Sequence, residues 1–177
     1  MYKNSYTILL FSFLLLVGCS QNIVKYSETP INVVNTYYNS ISNEDYETTL
    51  SLYPSSFQQI TKPSDLRQDF QEVKDIKIKK IIGSQIDNTL AHVLVSIEVT
   101  TMEDLQIYHI AQHDMKRTKG VWKFTTLDLL NKDEKTTLIS LWETQKENIK
   151  KNATLQKHIE WVIAQQQTGL HEPRVVE

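Results

Sequence analysis

The chain has 177 residues, 40% of them hydrophobic and 23% charged, with 19 Lys and Arg against 21 Asp and Glu. One Cys, four Gly and four Pro exclude a disulfide framework, a collagen-like repeat and a strongly disordered polymer. A formal charge of −2 leaves no basic excess to neutralise phosphates, which argues against a general nucleic-acid binder, and the length fits one domain.

Lys3 and the α-amino group precede an apolar run, Ile8 to Val17, broken only by Ser12. Such a run has about ten residues, half of the roughly 20 that span a hydrocarbon core. A positive start, a short apolar helix and a small residue at its end form the layout of a secretory signal. The end of the run, Leu16-Val17-Gly18-Cys19, resembles the lipobox of bacterial lipoprotein signal peptides and matches it at every position. A small residue before the only Cys lets a peptidase approach, and a thiolate is the strongest nucleophile the chain carries. The resemblance implies a signal peptide over 1–18, cleavage between Gly18 and Cys19, and a diacylglyceryl group with palmitate-like chains on Cys19. Two acyl chains supply the second signal that stable membrane anchoring needs. The expected location is therefore the extracytoplasmic face of a cell membrane, with no transmembrane span. Lys outnumbers Arg 16 to 3 and Ile occurs 17 times. That bias of A/T-rich codons favours a Gram-positive over a Gram-negative source.

Residues 19–29 read as a lipidated tether, polar apart from Ile23, Val24 and Tyr26. Ten residues reach at most about 35 Å and average about 17 Å as a coil. Thr29-Pro30 then opens a helix, capped by Thr29 and with Pro at the first helical position. Ile31, Val34, Tyr37, Tyr38 and Ile41 form its apolar face. Asn43 is expected to cap a second helix over Glu44 to Tyr53, ended by Pro54. Ser55 to Gln71 holds one or two short helices punctuated by Pro63.

The period then changes to two. Val73 to Ile86 places Ile76, Ile78 and Ile82 on one side. In Leu90 to Thr101, Ala91, Val93, Val95, Ile97 and Val99 share a face. Leu105 to Arg117 carries Leu105, Ile107, His109, Ala111 and Met115 on one parity. Val121 to Leu129 follows as a strand with Trp122 and Phe124 together. Turns fall at Asp87-Asn88, Glu103-Asp104 and Lys119-Gly120. The four strands read as an antiparallel meander with one face able to stay wet. A last helical stretch starts at Asn131 or Asp133, with an apolar stripe through Leu138, Leu141, Trp142, Ile149, Leu155, Ile159, Val162 and Ile163. Lys150 to Thr154 is a candidate break in it, and Thr168-Gly169 stops it.

The fold class is α+β, with N-terminal helices packed on a curved four-stranded antiparallel meander and a long C-terminal helix after it. This order resembles the NTF2-like (cystatin-like cone) superfamily over about 31–130. The opening helix Ile31 to Ile41, the step Asn43-Glu44-Asp45-Tyr46 and the hairpin from Met115 to Phe124 carry the resemblance. The chain is thus divided as signal peptide 1–18, tether 19–29, NTF2-like domain 30–130, helical extension 131–167 and flexible tail 168–177. The resemblance implies a pocket between sheet and helices. Some members are ketosteroid isomerases, with an acidic base and a tyrosine donor. Tyr37, Tyr38, Tyr53, Tyr108 and Asp114 are the only possible analogues, and no motif gives any of them a catalytic role.

Other chemistry is thin. On a strand His109 and His113 stand about 13 Å apart, too far to share one metal ion. No metal and no cofactor are expected. Neither a GxSxG nucleophile elbow nor a glycine-rich phosphate loop occurs. His92 lies on the parity opposite Val93 and Val95, facing solvent or a helix. Lys74, Lys77, Lys79 and Lys80, with Lys62 and Arg67 upstream, fit either contact with an anionic surface or a solvated strand face that discourages edge pairing. The functional expectation is a membrane-anchored extracytoplasmic lipoprotein, non-enzymatic, that binds a partner protein or small ligand. Two alternatives stay open: a component of a secretion or conjugation assembly docking through the C-terminal helix, and a pocket isomerase or hydrolase. Oligomeric state is not legible.

Overall fold

A computed structural model of the chain describes residues 29–169. The lipobox with Cys19, the tether up to residue 28 and the tail from residue 170 lie outside the described residues.

Helix α1 (Pro30–Ser42) starts as its sequence dictates. The Thr29 hydroxyl accepts from the Asn32 amide at 3.2 Å, and Pro30 sits where no amide proton is needed. Its C-cap is Asn43, so the cap of the second helix lies two residues later than expected. Asp45 takes that role in α2 (Tyr46–Ser51), accepting from Thr48 N at 3.0 Å. The reason is Glu44, whose φ of 55° turns the chain in the left-handed region and leaves Asn43 attached to α1. Two short helices follow, α3 (Ser55–Gln58) and α4 (Pro63–Asp69).

Strands β1 (Val73–Ile86), β2 (Leu90–Thr101), β3 (Gln106–Thr118) and β4 (Val121–Phe124) form one antiparallel sheet in chain order. Lys119 and Gly120 both have positive φ, 52° and 84°, as a two-residue turn matching the strand twist requires. Strand β4 stops at Phe124, five residues short of the expected Leu129. The Thr125 amide bonds back to Asp114 O, and Leu127–Leu129 coils into a 3-10 turn. Strand β1 departs from strict alternation in three places, at Val73/Asp75, Ile78/Lys80 and Ile81/Gly83. Each bulge bends the strand and shifts its parity. Ile76 and Ile78 face Val99 and Ile97 as expected, but beyond the bulges Ile81, not Ile82, joins that face opposite Val95.

Strand β2 is the centre of the molecule. Ala91, Val93 and Val95 are fully buried beneath α1, with Val33, Val34, Ile41 and Met115. Each such aliphatic side chain contributes roughly 1.5–3 kcal/mol. The opposite face is covered too, which corrects the expectation of a wet face. Helix α5 (Lys132–Lys150) packs on β1 and β2, and α6 (Ala153–Gly169) packs on β3. Asn131 caps α5 in a reciprocal box with Glu134, and the chain breaks at Lys151-Asn152 between the two helices. Leu138 and Val162, from the expected apolar stripe, are fully buried against the sheet. Among the described residues no helix is long and apolar enough to cross a membrane.

Candidate functional site

The space between α1 and the sheet, where a cone-shaped domain would hold a ligand, is filled with side chains. Tyr37 meets Tyr38, Tyr53, His113 and Phe124 edge-on, with ring centroids 5.0–6.3 Å apart. The Tyr38 hydroxyl lies 2.7 Å from His113 Nε2. Burial pushes all three phenols above their ordinary range, so they stay protonated. Burial also lowers His113 to about 4, overriding the attraction of neighbouring Asp114. His113 is thus a neutral partner for Tyr38 at neutral pH and a poor proton acceptor there. These rings build a packed aromatic cluster with largely buried hydroxyls beneath α1.

Asp114 is one residue on and therefore on the other face of β3. It is paired in register with His92, which faces helix α5 and is buried. Asp114 Oδ1 accepts from His92 Nδ1 and from Trp142 Nε1, both at 2.8 Å, and Oδ2 accepts from Gln112 Nε2 at 3.0 Å. Burial raises its carboxyl, but these three hydrogen bonds outweigh burial and hold it below the ordinary carboxylate range. The sheet separates this carboxylate from Tyr37, Tyr38 and Tyr53. Tyr108 lies against Trp161 of α6 at 4.9 Å and is paired in register with Glu98, whose carboxyl the Tyr108 hydroxyl helps hold below the ordinary carboxylate range.

His109 and His113 do not come together. His113 sits under Tyr38, while exposed His109 is 3.3 Å from Gln166 Nε2. No group of metal-ligating side chains occurs among the described residues. Three of the four candidate lysines are in ion pairs: Lys74 with Asp104, Lys77 with Asp75 and Lys79 with Glu98. That arrangement fits a solvated, charge-balanced edge strand. One buried polar contact was invisible in the sequence: Ser96 Oγ lies 2.7 Å from His158 Nε2, 62 residues away. It fixes α6 on the sheet.

One concavity with chemical character lies at the margin. A groove of about 510 Å³ runs along the β3–β4 hairpin. Val121, Phe124 and Leu129 line it, together with Tyr53 and Pro54 from the α2–α3 connection. Lys116, Lys119 and Lys123 also line it, and no carboxylate does. Lys116 and Lys123 are directly opposite each other in register, an arrangement that costs stability in a sheet. Lys116 Nζ is held by Glu134 at 2.6 Å, and Lys123 Nζ donates to Ser51 O. A smaller apolar hollow of about 110 Å³ adjoins the groove and shares Tyr53, Pro54, Phe124 and Leu129 with it, adding Phe57. Sequence reading missed this site, because its lysines come from two strands and a turn. The run Lys116 to Lys123, with four cations around one turn, was the signal available.

No protein-family model and no curated protein matches the chain. Several solved structures are similar in part. A SEC-C motif containing protein from Rhodopseudomonas palustris is 12% identical with a TM-score of 0.49, over 56% of this chain and 77% of that one. A protein of unknown function with a cystatin-like fold from Nostoc punctiforme is 16% identical with a TM-score of 0.43, over 53% and 81%. A putative NTF2-like transpeptidase from Campylobacter jejuni is 14% identical with a TM-score of 0.36, over 55% and 97%.

Proposed function

We propose that this chain is an extracytoplasmic lipoprotein, anchored through a diacylglyceryl group on Cys19, whose NTF2-like domain acts as a binding module and not as an enzyme. One observation carries the anchor: Leu16-Val17-Gly18-Cys19 closes a ten-residue apolar run, and Cys19 is the only cysteine in the chain. The described residues begin at Thr29, ten residues after Cys19, and ten residues reach at most about 35 Å, so the domain would be held close to the lipid surface. The helix–meander–helix order supports the cone-type reading of the domain. The binding role is supported by the marginal groove and by the state of the candidate acid and bases. Asp114 already accepts three hydrogen bonds, and His113 is shut beneath Tyr38.

A docking role for the C-terminal helices is less favoured, because Leu138 and Val162 of their stripe are spent on the sheet. The anchor is tested in a bacterial host fed labelled palmitate. The wild-type chain is expected to take up label and to pellet with membranes, whereas Cys19→Ser is expected to lose the label and remain uncleaved or become soluble. Equal labelling and equal processing of the two chains would remove the lipid from the account.

A further inference from the structure

We infer that the groove at the β3–β4 hairpin binds a free single-chain amphiphile with an anionic head, the head at the lysines and the apolar part toward Tyr53 and Phe57. This rests on reading the domain as a binding module, but it does not require the lipid anchor.

The lysines and the most apolar lining divide between two adjoining spaces, with Ser55, Ser56, Thr118 and Thr125 also lining the larger one. Lys116, Lys119 and Lys123 belong to the larger groove alone, whereas Phe57 and Thr126 belong to the adjoining hollow alone. The two spaces share an apolar wall of Tyr53, Pro54, Phe124 and Leu129. A volume of about 510 Å³ falls within the range of small-ligand sites, which are mostly apolar with a few placed polar groups.

Charge supplies the second argument. Folding alone does not favour Lys116 directly opposite Lys123, and departures from local consistency concentrate at functional sites. Glu134 neutralises Lys116, and Lys123 is bound to a neutral carbonyl. Lys119 has no ion pair among the described residues and sits at the turn between them. The groove therefore keeps a positive excess next to Val121 and Leu129, which are 41% and 51% exposed. An anion without an apolar part would leave those side chains in water, and an apolar ligand without a charge would desolvate ammonium groups for no return.

An added peptide strand fits less well. The outer edge of β4 is already in use, since Phe124 N donates to Leu52 O at 2.9 Å and Lys123 bridges to Ser51 O. A bilayer surface fits less well too, because the apolar end is a hollow and not a protruding face.

The test uses the full chain in phosphatidylcholine nanodiscs, with empty discs as the blank, and follows carboxyl-labelled octanoate by carbon-13 NMR. Saturable one-to-one binding is expected. Lys119→Glu should weaken it about tenfold, the scale of one lost charge-assisted hydrogen bond. Leu129→Asp should abolish it while far-UV circular dichroism stays unchanged. Both positions are exposed, so neither variant threatens the fold. Four results would each overturn the proposal: acetate competing as well as octanoate, octanol or octylammonium binding as tightly, an acidic peptide or anionic vesicles binding where octanoate does not, and no saturation at all. Running Cys19→Ser in parallel separates the two claims, since octanoate binding there should equal wild type even where the anchor is lost.

Discussion

Met115 and Asp114 are neighbours in the chain, lie on opposite faces of β3, and are held in different ways. Met115 is fully buried in an apolar core with Val93, Val95, Tyr38 and Trp122. Asp114 is held by hydrogen bonds from His92, Trp142 and Gln112. The contrast extends across the sheet. The α1 face is aliphatic and aromatic, while the α5–α6 face carries His92–Asp114, Ser96–His158, Lys79–Glu98 and Gln85–Gln145. Apolar packing is non-directional and sets the amount of stability. Hydrogen bonds on the second face are directional, so they decide where two amphipathic helices come to rest. Gly83 shows how close that rest is: a Cβ there would fall 1.9 Å from the Gln145 amide of α5.

The sharpest way to break this comparison is to open the apolar face. Met115→Ala should cost about 4 kcal/mol, since it leaves a cavity at a site with no exposure. Denaturant unfolding should show the loss as a lower midpoint with an unchanged slope. A cost near 1 kcal/mol would mean that the α1 face is loosely packed.

Acid should act on the same face with slightly less force. The His113 value in the folded chain is lowered to about 4 by burial, against an ordinary 6.5. The unfolded chain therefore binds the proton first as pH falls. The stability this burial leaves intact above about 6.5 is lost between 6.5 and 4, reaching roughly 3 kcal/mol. His158, also lowered by burial and by Lys80, adds in the same direction. His113→Gln can still bond Tyr38 but does not titrate. Its stability should be flatter than wild type between pH 6.5 and 4.5, and parallel curves for the two proteins would show that His113 is not sealed.

How much of this was legible follows from the same contrast. The core of β2 could be read directly, because Ala91, Val93, Val95 and Ile97 keep period two without interruption. So could the cap Thr29, where side-chain type and position coincide, while Asn131 was one of two candidates for the start of α5. Strand β1 misled at Ile82 because a bulge changes parity without changing composition. Strand β4 ended early because Leu127–Leu129 coils into a 3-10 turn held by backbone bonds, which no side chain announces. The covered second face was unreadable for a related reason. Ser96 and His92 look like part of a solvated face until α6 supplies His158 to the first and α5 lays Trp142 against the second. The lysine groove escaped because its walls come from the α2–α3 connection and a distant hairpin.

The second face can be tested by the smallest change that tells hydrogen bonding from packing. Asp114→Ala should cost about 2 kcal/mol, because it leaves the His92 and Trp142 N–H groups without their acceptor. Asp114→Asn should cost less than about 1 kcal/mol. Its carbonyl can occupy the Oδ1 position and keep both buried bonds. Its amide nitrogen then faces Gln112, which is exposed and can turn its own oxygen inward. Location should differ from the core variant as well. Amide exchange should rise first along Lys132–Lys150, the helix that Trp142 ties down, with β2 still protected. If alanine and asparagine cost the same, or if exchange rises evenly through the sheet, then shape rather than hydrogen bonding seats α5, and the two faces of the sheet are held by one kind of force.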